Sequence, residues 1–133
     1  MTDQTLPRGE LTVRCIAMPK DTNANGDIFG GWVMSMMDQA GGIAGVNTTR
    51  GRVVTVKVDA MTFIRPMQVG DVLSIYSAVE SIGRTSMKIH LEAWATRFRT
   101  DISEKVTDAT FTFVAVDDHG KPRPIARDET AKA

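Results

Sequence analysis

Asp38 stands in the segment GWVMSMMDQAGGIAGV, numbers 31–46, among residues that make an unusual setting for a carboxylate. The apolar spacing of Val33, Met36, Met37, Ala40, Ile43 and Ala44 has helical period. Set out at about 100° per residue, these side chains make one broad apolar face. Gly31, Ser35, Gly41, Gly42 and Gly45 collect opposite, with Met34 at the edge and Asp38 in the middle. Each glycine inside a helix costs about 1 kcal/mol relative to alanine, so a strip of them around one acid predicts that something passes close to it. A second backbone would need that room, either the same helix of a partner subunit or a crossing strand. So would a thin substrate chain, and the two demands agree if the site lies at a dimer interface. A helix carboxylate is more commonly exposed or paired with a base. Asp38, however, sits mid-helix, away from the N-cap where aspartate is favoured. A carboxylate so placed can take a proton from water or attack an electrophilic carbon.

Gly30 and Gly31 begin the same helix, where unpaired backbone N–H groups and the positive end of the dipole bind an oxyanion or polarise a carbonyl. Acyl transfer needs such donors. Gly31 and Asp38 are seven residues apart, about 10 Å along a helix at 1.5 Å per residue. That is long for one reacting carbon, so the expected site is composite, with groups from two chains or with other donors folded in.

Other motifs lead elsewhere and fail. Asp21-Thr22-Asn23-Ala24-Asn25-Gly26-Asp27-Ile28 matches the opening of a calcium-binding EF-hand loop, but the twelfth position, which should be a bidentate glutamate, is Trp32. The segment before it reads as a strand with Pro19, not as an entering helix. The loop is expected to be an Asx-turn connection that delivers the chain to the helix. His90 falls on a strand and His119 in a turn, with no ligand spacing between them or with Cys15, so no metal is expected. Cys15 reads as a small buried hydrophobe. No serine lies in a nucleophile-elbow sequence. Carboxylate-driven hydrolysis survives this elimination best, and it requires no cofactor.

The elements that must position these residues are few. LTVRCIA has strand character that Pro19 ends, and the helix from Gly30 is the one long helix. Val54, Val56 and Val58 alternate with Thr55, Lys57 and Asp59, and DVLSIYSAVE, SMKIHLEAWATRF and VTDATFTFVAVD continue as strands. Gly70-Asp71, Gly83-Arg84 and DDHGKP supply turns. One strand, one helix and four strands describe an α+β domain, an antiparallel sheet bent around a buried central helix. A chain of 133 residues is one domain, 1–133, with a polar leader 1–10 and a charged, exposed, loose tail from about Arg123. Sixteen basic and sixteen acidic residues give no global field for nucleic acid or an anionic membrane. The single cysteine, the polar N-terminus and the lack of a spanning apolar run make the cytoplasm the expected location.

The stretch AMPKDTNANGDIFGGWVMSMMDQAGG, then GRVVTVKVDAMTFIRPMQVGDVL and TFTFVAVDDHGKPR, closely resembles the YciA-type acyl-coenzyme A thioesterases, over about Leu11 to Arg123. The resemblance implies a hotdog fold, a long helix wrapped by an antiparallel sheet. It also implies a homo-oligomer, two subunits pairing to build two sites and dimers joining into hexamers as a trimer of dimers. Asp38 would be the base or nucleophile in hydrolysis of acyl-coenzyme A to free acid and coenzyme A, with the helix-start amides belonging to Gly30 and Gly31. Asn23, Asn25 and Asp27 become secondary site candidates. For coenzyme A, the likeness points to the Phe63-Ile64-Arg65-Pro66 end of a strand and to the Gly83-Arg84-Thr85-Ser86 turn. Two rivals share the groove: a hotdog hydratase or dehydratase, which commonly uses a histidine absent from this helix, and an acyl-coenzyme A binding module without turnover.

Overall fold

A computed structural model describes residues 6–125. The chain forms β1 (Glu10–Ile16), a single 3₁₀ turn (Pro19–Asp21), α1 (Gly30–Thr49), β2 (Val53–Asp59), β3 (Val72–Ile82), β4 (Ser86–Thr96) and β5 (Ser103–Ala115). All strand pairs are antiparallel, in the order β1-β3-β4-β5-β2. The helix packs on one face of this sheet, as the alternation of the strands and the single helical period require.

The central strands supply the floor. On β4, Met87, Ile89, Leu91, Ala93 and Ala95 are buried, and Leu73 and Ile75 of β3 with Phe111 and Phe113 of β5 complete the surface on which Val33, Met37 and Ala40 of α1 rest. Phe111 and Phe113 stack at 6.3 Å between ring centres. The helix ends where Arg50 takes a left-handed φ of 62° and its N–H returns to the Val46 carbonyl.

The burial stripe of α1 is turned from the one expected. Gly41 and Gly45 face the sheet and are buried, whereas Ile43 is 45% exposed. The reason is space: a Cβ on Gly41 would lie 2.5 Å from the Phe113 ring, and one on Gly45 would lie 3.1 Å from Val53. These two glycines admit the chain's own side chains, not a visitor.

Both ends of the described chain are tied down. The Arg8 N–H donates to Glu92, a carboxylate buried on the far face of β4 that also accepts from the Trp94 indole. Gly9, at φ +106°, presses against the Ser77 backbone with no room for a Cβ. The tail expected to be loose from Arg123 is anchored at its start. Arg123 donates to the Val116 carbonyl and to the Thr49 hydroxyl, and Ile125 is buried with its N–H on the Arg84 carbonyl. The rest of that tail, 126–133, and residues 1–5 of the leader lie outside the described residues. No helix among the described residues is long and apolar enough to cross a membrane.

Candidate active site

The approach to α1 is a compact loop. The Asn23 side-chain oxygen accepts the N–H groups of Asn25 and Asp27, the Asn23 N–H donates to the Asp27 carbonyl, and Thr22 bridges to Ile28. The Asx-turn reading therefore describes this loop, in which the Asp21 and Asn23 side-chain oxygens and the Asp27 carbonyl are taken by local donors. Asp21 is buried, holding the Met18 N–H and the Lys20 ammonium. Asn25 and Asp27 stay exposed, with the Gln68 amide reaching Asp27 at 3.4 Å. Cys15 is half-buried, and its thiol pKa is raised first by burial and then by Asp21 nearby.

This loop delivers a helix start with no side-chain cap. The N-cap is Phe29, whose own N–H is taken by the Asp21 carbonyl, and the Trp32 N–H turns back to the Phe29 carbonyl. Between them, the N–H groups of Gly30 and Gly31 have no acceptor among the described residues. They are free for an oxygen brought from outside.

Two turns on, the Asp38 carboxylate accepts a hydrogen bond from the Thr55 hydroxyl on β2 at 2.5 Å. A pocket of about 290 Å³ joins these groups, lined by Gly31, Met34, Ser35, Asp38, Thr55, Val58 and Phe111. The chain thus brings Gly31 and Asp38 to one cavity, with apolar walls and one acid. Thr55 was missed in the sequence: it lies 17 positions from Asp38 on a neighbouring element, and its sole local signal is a hydroxyl set among the valines of β2.

The coenzyme A candidates fall in two places. Residues 63–66 do not end a strand. Ala60, at φ 51°, closes β2, and the chain then runs beside β5 with the Ile64 N–H on the Val106 carbonyl. Arg65 donates to the Lys105 carbonyl at 2.9 Å and pairs with Glu104 at 3.4 Å. Glu104 also holds Arg97, which bridges to the buried Asp71 and to the Pro66 carbonyl. Burial opposes the Arg97 charge, but the hydrogen bonds it donates to Glu104 and Asp71, with their negative charges, outweigh this and raise its pKa above the usual arginine value. Pro66 and Arg65 line a second pocket with Gly30. Gly83, Arg84, Thr85 and Ser86 form the β3–β4 hairpin tip, with the Gly83 N–H on the Ser86 carbonyl and the Thr85 carbonyl taking the Ala115 N–H. The Arg84 side chain is exposed there. Since Arg65 is anchored at Lys105 and Thr85 at Ala115, the two clusters sit at opposite ends of β5, about 30 Å apart at 3.3 Å per residue. One protomer does not bring them together.

Comparison with known proteins adds the family. The thioesterase superfamily profile matches residues 25–100. An acyl-CoA thioester hydrolase, YciA, of Salmonella typhimurium is 50% identical over 127 residues, covering 93% of this chain and 96% of the relative. An uncharacterized acyl-CoA thioester hydrolase of Haemophilus influenzae is 52% identical over 124 residues, 91% of this chain and 80% of the relative. Among solved structures, a hexameric broad-specificity acyl-coenzyme A thioesterase superposes with a TM-score of 0.91 at 48% identity, over 97% of this chain and 90% of that one. The chain belongs to the thioesterase superfamily, among the hotdog-fold acyl-CoA thioester hydrolases of the YciA type.

Proposed function

We propose that this chain hydrolyses acyl-coenzyme A thioesters, releasing a free acid and coenzyme A. The observation that carries this reading is the cavity that the Asp38 carboxylate shares with Gly31 of the uncapped helix start, two turns away on the same helix. The thioester carbonyl oxygen would accept from the Gly30 and Gly31 N–H groups, which lowers the cost of charge developing on it during attack. Thr55 occupies one carboxylate oxygen of Asp38 and leaves the other to take a proton from water, or to attack the carbonyl carbon itself. The coenzyme A thiolate then departs. A thiolate leaves readily, so no metal or cofactor is called for.

The site is completed in a dimer. β2 is an edge strand whose Val54, Val56 and Val58 are 38%, 55% and 38% exposed, an apolar edge of the kind a second copy covers. Antiparallel pairing of β2 with its counterpart would turn one protomer end for end. The Arg84 hairpin of one chain would then lie at the same end as the Arg65 segment of the other, which reconciles their separation within a protomer. Asn23, Asn25 and Asp27 would line the approach. Hexamers, the state of the solved relative, would follow from three such dimers, and a single thiol suits the cytoplasm.

The deciding experiment follows thiol release from a panel of acyl-coenzyme A substrates by the wild-type protein, beside calorimetry with an unreactive thioether analogue. Release is expected across the panel. Tight binding of the analogue with no release from any thioester would make the chain a binding module and end the hydrolase reading.

A further inference from the structure

A second pocket, of about 330 Å³, lies beside the helix start among Ile28, Val33, Phe63, Met67 and Val106, with Gly30 in its wall. Successive helix residues point about 100° apart, so Gly30 and Gly31 give onto different sides of one turn. The carboxylate pocket is on the Gly31 side and this one is on the Gly30 side. Ile28, Val33, Met67 and Val106 are all buried, and they make an apolar floor. Arg65 also lines the pocket, with its guanidinium engaged by the Lys105 carbonyl and Glu104. Phe63 differs from the others. It is 42% exposed, and its ring lies so close to the helix start that a Cβ on Gly30 would be 3.1 Å from two ring carbons.

We propose that this pocket takes the acyl chain of the substrate and that Phe63 sets how long a chain fits. The proposal rests on the hydrolase reading above: a carbonyl oxygen held by the Gly30 and Gly31 amides stands at the junction of the two pockets. Of the two arms of a thioester, the acyl chain is the one without hydrogen-bonding groups, and Ile28, Val33, Phe63, Met67 and Val106 of the Gly30 pocket offer no side-chain hydrogen bond. Each methylene added to or removed from an apolar pocket changes discrimination by about tenfold or more.

The test compares kcat/KM over saturated acyl-coenzyme A substrates from short to long for wild type, Phe63→Ala and Phe63→Trp, with sedimentation of each. Phe63 is half-exposed in a loop, so both variants are expected to fold. Phe63→Ala is expected to raise the long-to-short ratio by about tenfold, and Phe63→Trp to lower it by a similar factor. An unchanged ratio in both variants, an equal loss at every chain length, or a change in assembly size without a change in ratio would each overturn the proposal while leaving hydrolysis standing. Wild type that releases no thiol from any substrate would remove the underlying reading first.

Discussion

On the sheet-facing flank of α1, Gly41 and Gly45 lie under Phe113 and Val53, which come within 2.5 Å and 3.1 Å of where a Cβ would be. About 100° round the helix from Gly41, no atom of the described residues beyond the adjoining helix backbone lies within 4 Å of a Cβ on Gly42, and one on Gly31 would meet the Phe29 ring at 3.5 Å. Asp38 stands at the boundary, half-buried, with its carboxylate turned to β2. The same residue type therefore serves two ends on one helix. Inside, glycine lets an aromatic ring approach the helix backbone, which fixes the distance between α1 and the sheet. Outside, it leaves the helix surface bare beside a carboxylate. The inner pair holds the acid's position and the outer pair leaves it accessible, and each role can be broken without the other.

The largest effect belongs to the boundary residue. Asp38→Asn keeps the shape and an oxygen for Thr55 but removes the proton-accepting charge. Thiol release is expected to fall by about 10²–10⁴-fold, the usual worth of a positioned general base. The melting temperature should hold within a degree or two, about the effect of a surface substitution. Turnover that survives in the folded Asp38→Asn variant would take the carboxylate out of the reaction.

Next comes the inner flank. Gly41→Ala pushes a methyl into the Phe113 ring and the Leu91 side chain, and overpacking of this kind costs about 1–3 kcal/mol. Denaturant unfolding should show that loss with little change in slope, while activity per folded molecule falls less than in Asp38→Asn. A neutral result would mean that Phe113 has somewhere to go, and that the inner glycines do not set the spacing of the layers.

Element order was legible because each element carries its own local signal. The helix opens at the double glycine and holds its period to Ala44, the strands alternate, and the Asn-rich loop folds by Asx turns as its composition requires. The orientation of the helix was not legible. Ile43 and Met34 are as apolar as Val33 and Met37, yet they are exposed, because the position of the Phe113 ring, set by strand register, decides which stripe faces in. Glycine weighs nothing in a hydrophobic pattern, so Gly41 and Gly45 appeared on the wrong face. The candidate site was half legible. Asp38 and the helix-start glycines announce themselves by spacing, whereas Thr55 becomes a partner only when β2 folds back against α1. The distance between Arg65 and Arg84 depends on the ladder of β4 and β5, whose register no local pattern states.

Thr55 sharpens the boundary further. Thr55→Val keeps the β-branched shape that suits β2 and removes the hydroxyl that donates to Asp38. If that bond orients the carboxylate, kcat should drop about tenfold, equivalent to about 1.4 kcal/mol, with KM nearly constant. An effect confined to KM would assign the hydroxyl to substrate binding instead.

The smallest effect is the most discriminating for the outer flank. Gly42→Ala adds a methyl where no atom of the described residues beyond the adjoining helix backbone lies within 4 Å, and alanine favours a helix interior over glycine by about 1 kcal/mol. The protein should therefore melt about 4 °C higher, with its assembly size unchanged in sedimentation. Dissociation into smaller species would show that a partner's backbone lies on this strip, so that its bareness serves subunit contact. A higher melting temperature with intact assembly and weaker substrate binding would give the strip to the substrate chain. Either way Gly42 parts company with Gly41, about 100° round the helix, where the same methyl meets an aromatic ring.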